Sequence, residues 1–143
     1  MITGSFDGEG RPYVQGRLII SRFKVDGFID FLMDTGADTT TLHPDDGIQL
    51  NVPFNRLRNR TEVGGIGGTH EYFYEPVILI FADGQRLRLY SIWMSIAKPH
   101  AATNALPSLL GRDILNQWRM RYDFPSNRLE FAVKSADATV RAP

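Results

Sequence analysis

Turn-forming residues break this chain into short apolar runs, and that punctuation favours a β protein over any helical architecture. Runs rich in Val, Ile, Leu, Phe and Tyr are separated by clusters of Gly, Pro, Asn and Asp. Strands are expected near Tyr13–Ile20, Phe28–Met33, Thr39–Leu42, Glu71–Phe81, Arg86–Ser95 and Ser108–Leu110. A last hairpin is expected to pair Arg119–Phe124 with Arg128–Phe131 across Pro125-Ser126-Asn127. Asp83-Gly84 marks a further tight turn, because that dipeptide accepts the positive φ that hairpins need. Only Arg112–Trp118 reads as helix: Ile114, Leu115 and Trp118 recur at helical spacing, and Asp113 complements the helix dipole in the first turn.

The 143 residues suffice for one core. The expectation is a single domain over 1–143, with its body from about 11 to 131 and a frayed tail over 134–143. The formal net charge is zero, so no global field favours nucleic acid or an anionic membrane. Cysteine is absent, which excludes disulfides, thiol catalysis and cysteine-bound zinc. The longest strongly apolar run, Val77–Ala82, has six residues, against about 20 for a membrane-spanning helix. The N-terminus lacks the basic flank and apolar stretch of a signal peptide. The expectation is a soluble, cytoplasmic protein, or a soluble piece of a longer one.

Chemistry concentrates in Phe28-Ile-Asp-Phe-Leu-Met-Asp34-Thr35-Gly36-Ala37-Asp38. An apolar strand delivers an acid, a hydroxyl and a glycine into a turn, where the carboxylate is rigidly held and backbone can approach closely. Taken alone, the tripeptide also fits a plain turn with a capping aspartate. A second feature is Gly64-Gly65-Ile66-Gly67-Gly68, which suits a hairpin tip able to close over a ligand, or simply a flexible loop. A third is Leu109-Leu110-Gly111-Arg112-Asp113, an apolar strand turning directly into a short helix.

In this order the three segments resemble the signature of the retroviral-type, or retropepsin-like, aspartic proteases, over about Arg11 to Phe131. The resemblance implies a mostly β, single-lobe fold: a closed barrel-like domain with a glycine-rich flap hairpin and one short C-terminal helix. It implies a catalytic Asp34, with Thr35 bonding across a dimer axis and Gly36 offering backbone to substrate. Ala37, Asp38 and Gly64, Gly65, Ile66, Gly67 and Gly68 would line the substrate. Asp38 would pair with Arg112, which together with Gly111 would brace the loop. No cofactor or metal is implied. The chain holds one Asp-Thr-Gly, so the second carboxylate that such chemistry requires is expected from another copy in a twofold homodimer. An extended peptide or protein is the expected substrate.

The histidines, His43, His70 and His100, lack metal-ligand spacing and read as ordinary surface or loop residues. Arg11-Pro12 resembles an N-terminal Arg-Pro of viral members, whose arginine reaches the other subunit. The segment from His43 to Arg60 is longer than in the viral pattern, and Asp113 stands where viral enzymes often carry asparagine. The C-terminus also continues past the helix into a hairpin, as in cellular and bacterial members. Three functions stay open at this point: a general endopeptidase, a processing enzyme that cuts only its own precursor, and a catalytically silent dimerisation or peptide-binding module that keeps the fold.

Overall fold

In the stretch Pro12–Ile20, Val14, Leu18 and Ile20 are buried between less buried neighbours, the period of two that selects a strand with one face on a core. The same pattern recurs along the chain. The computed structural model describes residues 1–65 and 68–143, with side chains outside 62–70. Its elements are β1 (Ile2–Thr3), β2 (Ser5–Phe6), β3 (Pro12–Ile20), β4 (Val25–Met33), β5 (Thr41–Leu42), α1 (Pro44–Gln49), β6 (Asn59–Gly65) and β7 (Gly68–Asp83). They continue as β8 (Arg86–Ala97), β9 (Leu109–Leu110), α2 (Arg112–Leu115), β10 (Trp118–Asp123), β11 (Arg128–Val133) and β12 (Ala138–Arg141).

Six strands close on themselves. β3 pairs antiparallel with β4, β4 parallel with β9, and β9 antiparallel with β5. β5 then pairs parallel with β8, β8 antiparallel with β7, and β7 antiparallel with β3. Closure removes the free edges that an open sheet would carry. Leu18, Phe31, Leu79, Phe81, Met94 and Ile96 have no accessible surface and fill the interior. β2, β6 and β12 attach to β3, β7 and β8. The β7–β8 hairpin turns at Gly84, whose φ of 59° a side chain rarely tolerates.

A second, antiparallel sheet has the order β1-β11-β10. Trp118 joins it to the barrel. Its ring meets Phe81 edge-on at 4.9 Å and leans on Phe131 at 5.0 Å. Its indole N–H donates to the Tyr90 hydroxyl, which donates in turn to the Ser135 carbonyl, each at 2.8 Å. A buried indole and phenol are thereby satisfied together.

The structure departs from the sequence expectations in four places. Helix α2 stops at Leu115 rather than at Trp118, because the chain turns back and the Lys134 N–H bonds to the Gln117 carbonyl. The segment after His43 contains a second helix, α1, with Pro44 opening it and Asp45 and Asp46 in its first turn, all good helix-start chemistry. β1 and β2 extend the fold toward the N-terminus. The expected frayed tail instead contains β12, whose four exposed residues pair with β8 through main chain, joined by a hydrogen bond from the Arg88 guanidinium to the Thr139 hydroxyl at 3.0 Å.

Candidate active site

Asp34 follows the last residue of β4, and two main-chain bonds clamp that strand end to its parallel neighbour. The Leu32 N–H donates to Ser108 O at 2.8 Å, and the Asp34 N–H donates to Leu110 O at 3.0 Å. The loop then folds back, with the Ala37 N–H on Asp34 O at 3.2 Å. One carboxylate oxygen of Asp34 accepts the Gly36 N–H at 2.9 Å. The other takes no hydrogen bond among the described residues. Asp34 is half-buried, while Thr35 and Gly36 are exposed. The arrangement presents an oriented carboxylate with an open oxygen beside exposed backbone.

The junction from β9 into α2 holds this loop from behind. The Arg112 N–H donates to Ala37 O at 2.8 Å. Its guanidinium donates to Thr35 O at 2.7 Å and forms an ion pair with Asp38. A planar, forked cation suits two acceptors at once. Gly111 lies so close to the loop that a Cβ there would stand 2.7 Å from Thr39 C and 2.9 Å from both Thr39 O and Thr40 N. Only glycine fits against that backbone.

Sequence reasoning passed over Thr40 and understated Asp113. The buried Thr40 hydroxyl donates to Asp113 Oδ1 at 2.6 Å and accepts the Gly111 N–H at 3.1 Å. Asp113 Oδ2 accepts the Thr40 N–H at 2.9 Å. This closed network ties both signature segments to each other, as buried polar groups require. The only hint in the sequence was a hydroxyl run, Thr39-Thr40-Thr41, which has no distinctive spacing.

His43 overturns an expectation. It is 3% exposed, not a surface residue. Its Nδ1 lies 2.6 Å from the Pro107 carbonyl, which can only accept, so Nδ1 carries the proton and Nε2 faces the Tyr72 hydroxyl at 3.3 Å. The His43 N–H donates to the Ser108 hydroxyl, which donates to Asp46. Burial pushes the His43 imidazole below its ordinary value, opposed by the Pro107 hydrogen bond and the Asp46 charge. The cluster joins α1, β7 and the approach to β9.

Of the glycine-rich segment, Gly64 pairs with Thr69 and Gly65 with Gly68, joining β6 to β7. Ile66 and Gly67 lie outside the described residues. Arg11 is engaged within its own chain, its guanidinium donating to Asp7 at 2.7 Å. Among the described residues no cluster of three His, Asp or Glu side chains is arranged to hold a metal, and no helix is long and apolar enough to cross a membrane.

The family model described as retroviral aspartyl protease matches residues 9–122. This chain belongs to that family. The match covers the Asp34 loop, the glycine-rich segment and the Gly111-Arg112 junction together. Among solved structures, the chain is similar to a retropepsin-like aspartic protease from Rickettsia conorii, with TM-score 0.56 and 19% identity over 90% of this chain and 95% of that one. That likeness establishes the single-lobe retropepsin fold. A second similar structure is the EIAV protease complexed with the inhibitor HBY-793, with TM-score 0.47 and 29% identity over 78% of this chain and 91% of that one. No curated protein matches the chain.

Proposed function

We propose that this chain is an aspartic endopeptidase, one domain per subunit, active as a homodimer in which each copy contributes Asp34. The observation that carries the reading is the Asp34 carboxylate itself: clamped through β9, oriented by the Gly36 N–H and open on one oxygen. A lone carboxylate cannot both accept a proton from water and donate one to a carbonyl in the same step. Two copies meeting on a twofold axis supply both roles.

Two carboxylates held that close share one proton. The ionised member takes a proton from water as the oxygen attacks the scissile carbonyl carbon, and the protonated member donates to the carbonyl oxygen. Collapse of the tetrahedral species breaks the C–N bond, with a proton returned to the departing nitrogen. In this reading Thr35 bonds across the axis and Gly36, Ala37 and Asp38 face the substrate backbone. Gly64, Gly65, Ile66, Gly67 and Gly68 close over an extended peptide, and Gly111 and Arg112 brace the loop. The intact match of the whole segment set to the family favours an enzyme over a silent module.

The test is digestion of a diverse peptide mixture between about pH 4 and 7, read by mass spectrometry, for wild type and Asp34→Asn. Cuts present only in wild type are expected. Identical patterns for the two proteins, or no cuts by a protein shown to be dimeric and offered its own precursor, would sink the endopeptidase reading.

A further inference from the structure

Past the end of the barrel core, the turn from β7 to β8 and the strand β12 gather charge on one face. Direct cross-strand pairs share a face. Arg88 lies opposite the buried Phe81 and opposite Thr139, and Arg86 lies opposite Asp83 and opposite Arg141. One carboxylate therefore meets three guanidinium groups. Asp83 is already engaged on both oxygens: Oδ1 takes the N-terminal ammonium at 2.8 Å, and Oδ2 accepts from Arg88 Nε at 2.8 Å. Arg88 is completed by the Thr139 hydroxyl at 3.0 Å. The guanidinium groups of Arg86 and Arg141 have no hydrogen-bond or ion-pair partner among the described residues.

These two cations are set against each other. The Ala142 N–H donates to Gln85 O at 2.8 Å. The preceding pair, Arg141 and Arg86, is therefore a non-hydrogen-bonded one, with Cα atoms about 4.5 Å apart and side chains at their nearest. Like charges so placed repel. All four residues of β12 are exposed, so the strand has little apolar burial to offset that repulsion. The Thr139 hydroxyl accepts from Arg88 and keeps its own proton to donate. Two forked cations and a hydroxyl thus line one open groove of about 420 Å³, together with Gln85 and Val140.

We propose that this groove is a binding site for a phosphoryl group, free or carried on a larger molecule, held between Arg86 and Arg141. A planar guanidinium bonds two phosphate oxygens at once. Near neutral pH a phosphate monoester carries about −1.5 to −2 charges, which matches two cations, whereas a carboxylate leaves one of them uncompensated. Bound there, the anion turns a repulsion into a bridge and fastens the C-terminal strand to β8.

Thermal midpoints of the full chain at about pH 7.5 and constant ionic strength, in chloride, acetate or phosphate, test the site. Inorganic phosphate at about 10 mM should raise the wild-type midpoint by about 2–4 °C over chloride, and acetate should match chloride. Arg86→Gln and Arg141→Gln should each lose that increment. In chloride alone neither variant should lower the midpoint, since each relieves the opposed pair. Amide NMR shifts on adding phosphate should centre on residues 85–88 and 138–142. Inorganic phosphate and O-phosphoserine titrated side by side name the source: tighter binding of O-phosphoserine assigns a phosphorylated partner, and equal or weaker binding assigns free phosphate. A midpoint increment that survives in both variants places phosphate elsewhere and overturns the site, as does a wild type that phosphate neither stabilises nor shifts. An equal increment from acetate overturns the phosphoryl assignment.

Discussion

Arg112 holds three parts of one loop: its amide bonds to Ala37, and its guanidinium bonds to Thr35 and pairs with Asp38. The Asp38 side chain is 86% exposed, so solvent screens the pair and it contributes only about 0–1 kcal/mol to stability. The Thr35 bond is solvent-exposed as well and adds only about 0.5 kcal/mol, the low end for a net hydrogen bond. The larger consequence is positional, since Thr35 adjoins the candidate carboxylate. Arg112→Ala should cost little in urea denaturation yet lower kcat/KM by about 100-fold. Arg112→Lys should restore the charge but little of the rate, because an ammonium cannot fork. Wild-type kcat/KM in Arg112→Ala would contradict the bracing role. His43 makes a separate prediction. Its folded-state proton affinity lies below the ordinary value of 6.5, so as pH falls the unfolded chain protonates first. Its contribution to stability is therefore complete above about pH 6.5 and is lost as pH falls toward the lower, folded value. Urea midpoints measured from about pH 7.5 down to 5 should fall, and His43→Gln should flatten that part of the curve. Parallel curves for the two proteins would show that His43 is not the titrating group.

Elements meet at the β9–α2 junction, where Gly111 touches the backbone of Thr39 and Thr40. Those contacts are main chain and cannot swing aside as a side-chain tip can. Gly111→Ala should destabilise by about 1–3 kcal/mol and spread the Asp34 loop from α2, so stability and activity fall together, unlike in Arg112→Ala. Unchanged denaturation midpoints would show that the junction yields. This junction was legible in sequence because glycine followed by arginine, after two leucines, is a composite signal that few local structures share. The barrel strands were legible for a different reason: β3, β4, β7 and β8 alternate or concentrate apolar residues that the closed core buries. What escaped was whatever side-chain pattern does not encode. β12 pairs through main chain with four exposed residues. α1 is six residues with a glycine inside, too short for periodicity to register. His43 is buried by distant partners, Pro107 and Tyr72, which no local window contains. Thr40 owes its importance to Asp113, 73 residues away.

For the whole molecule, one Asp-Thr-Gly per chain means that the proposed endopeptidase needs an active unit larger than the chain. Assembly and activity then become linked through concentration, by mass action. Specific activity should fall on dilution, and added substrate that bridges both copies should restore it. Mixing gives the sharper outcome. Asp34→Asn keeps the loop's hydrogen-bonding shape and removes the charge, so mutant subunits should still pair with wild type. With a threefold excess of Asp34→Asn and free exchange, a wild-type subunit finds a wild-type partner about one time in four. If both carboxylates are required, activity from a fixed amount of wild type should settle near about a quarter of its starting value. The decay time then reports subunit exchange. Activity that stays constant while sedimentation shows mixed dimers would mean that one Asp34 suffices, and the shared-proton mechanism would fail with it.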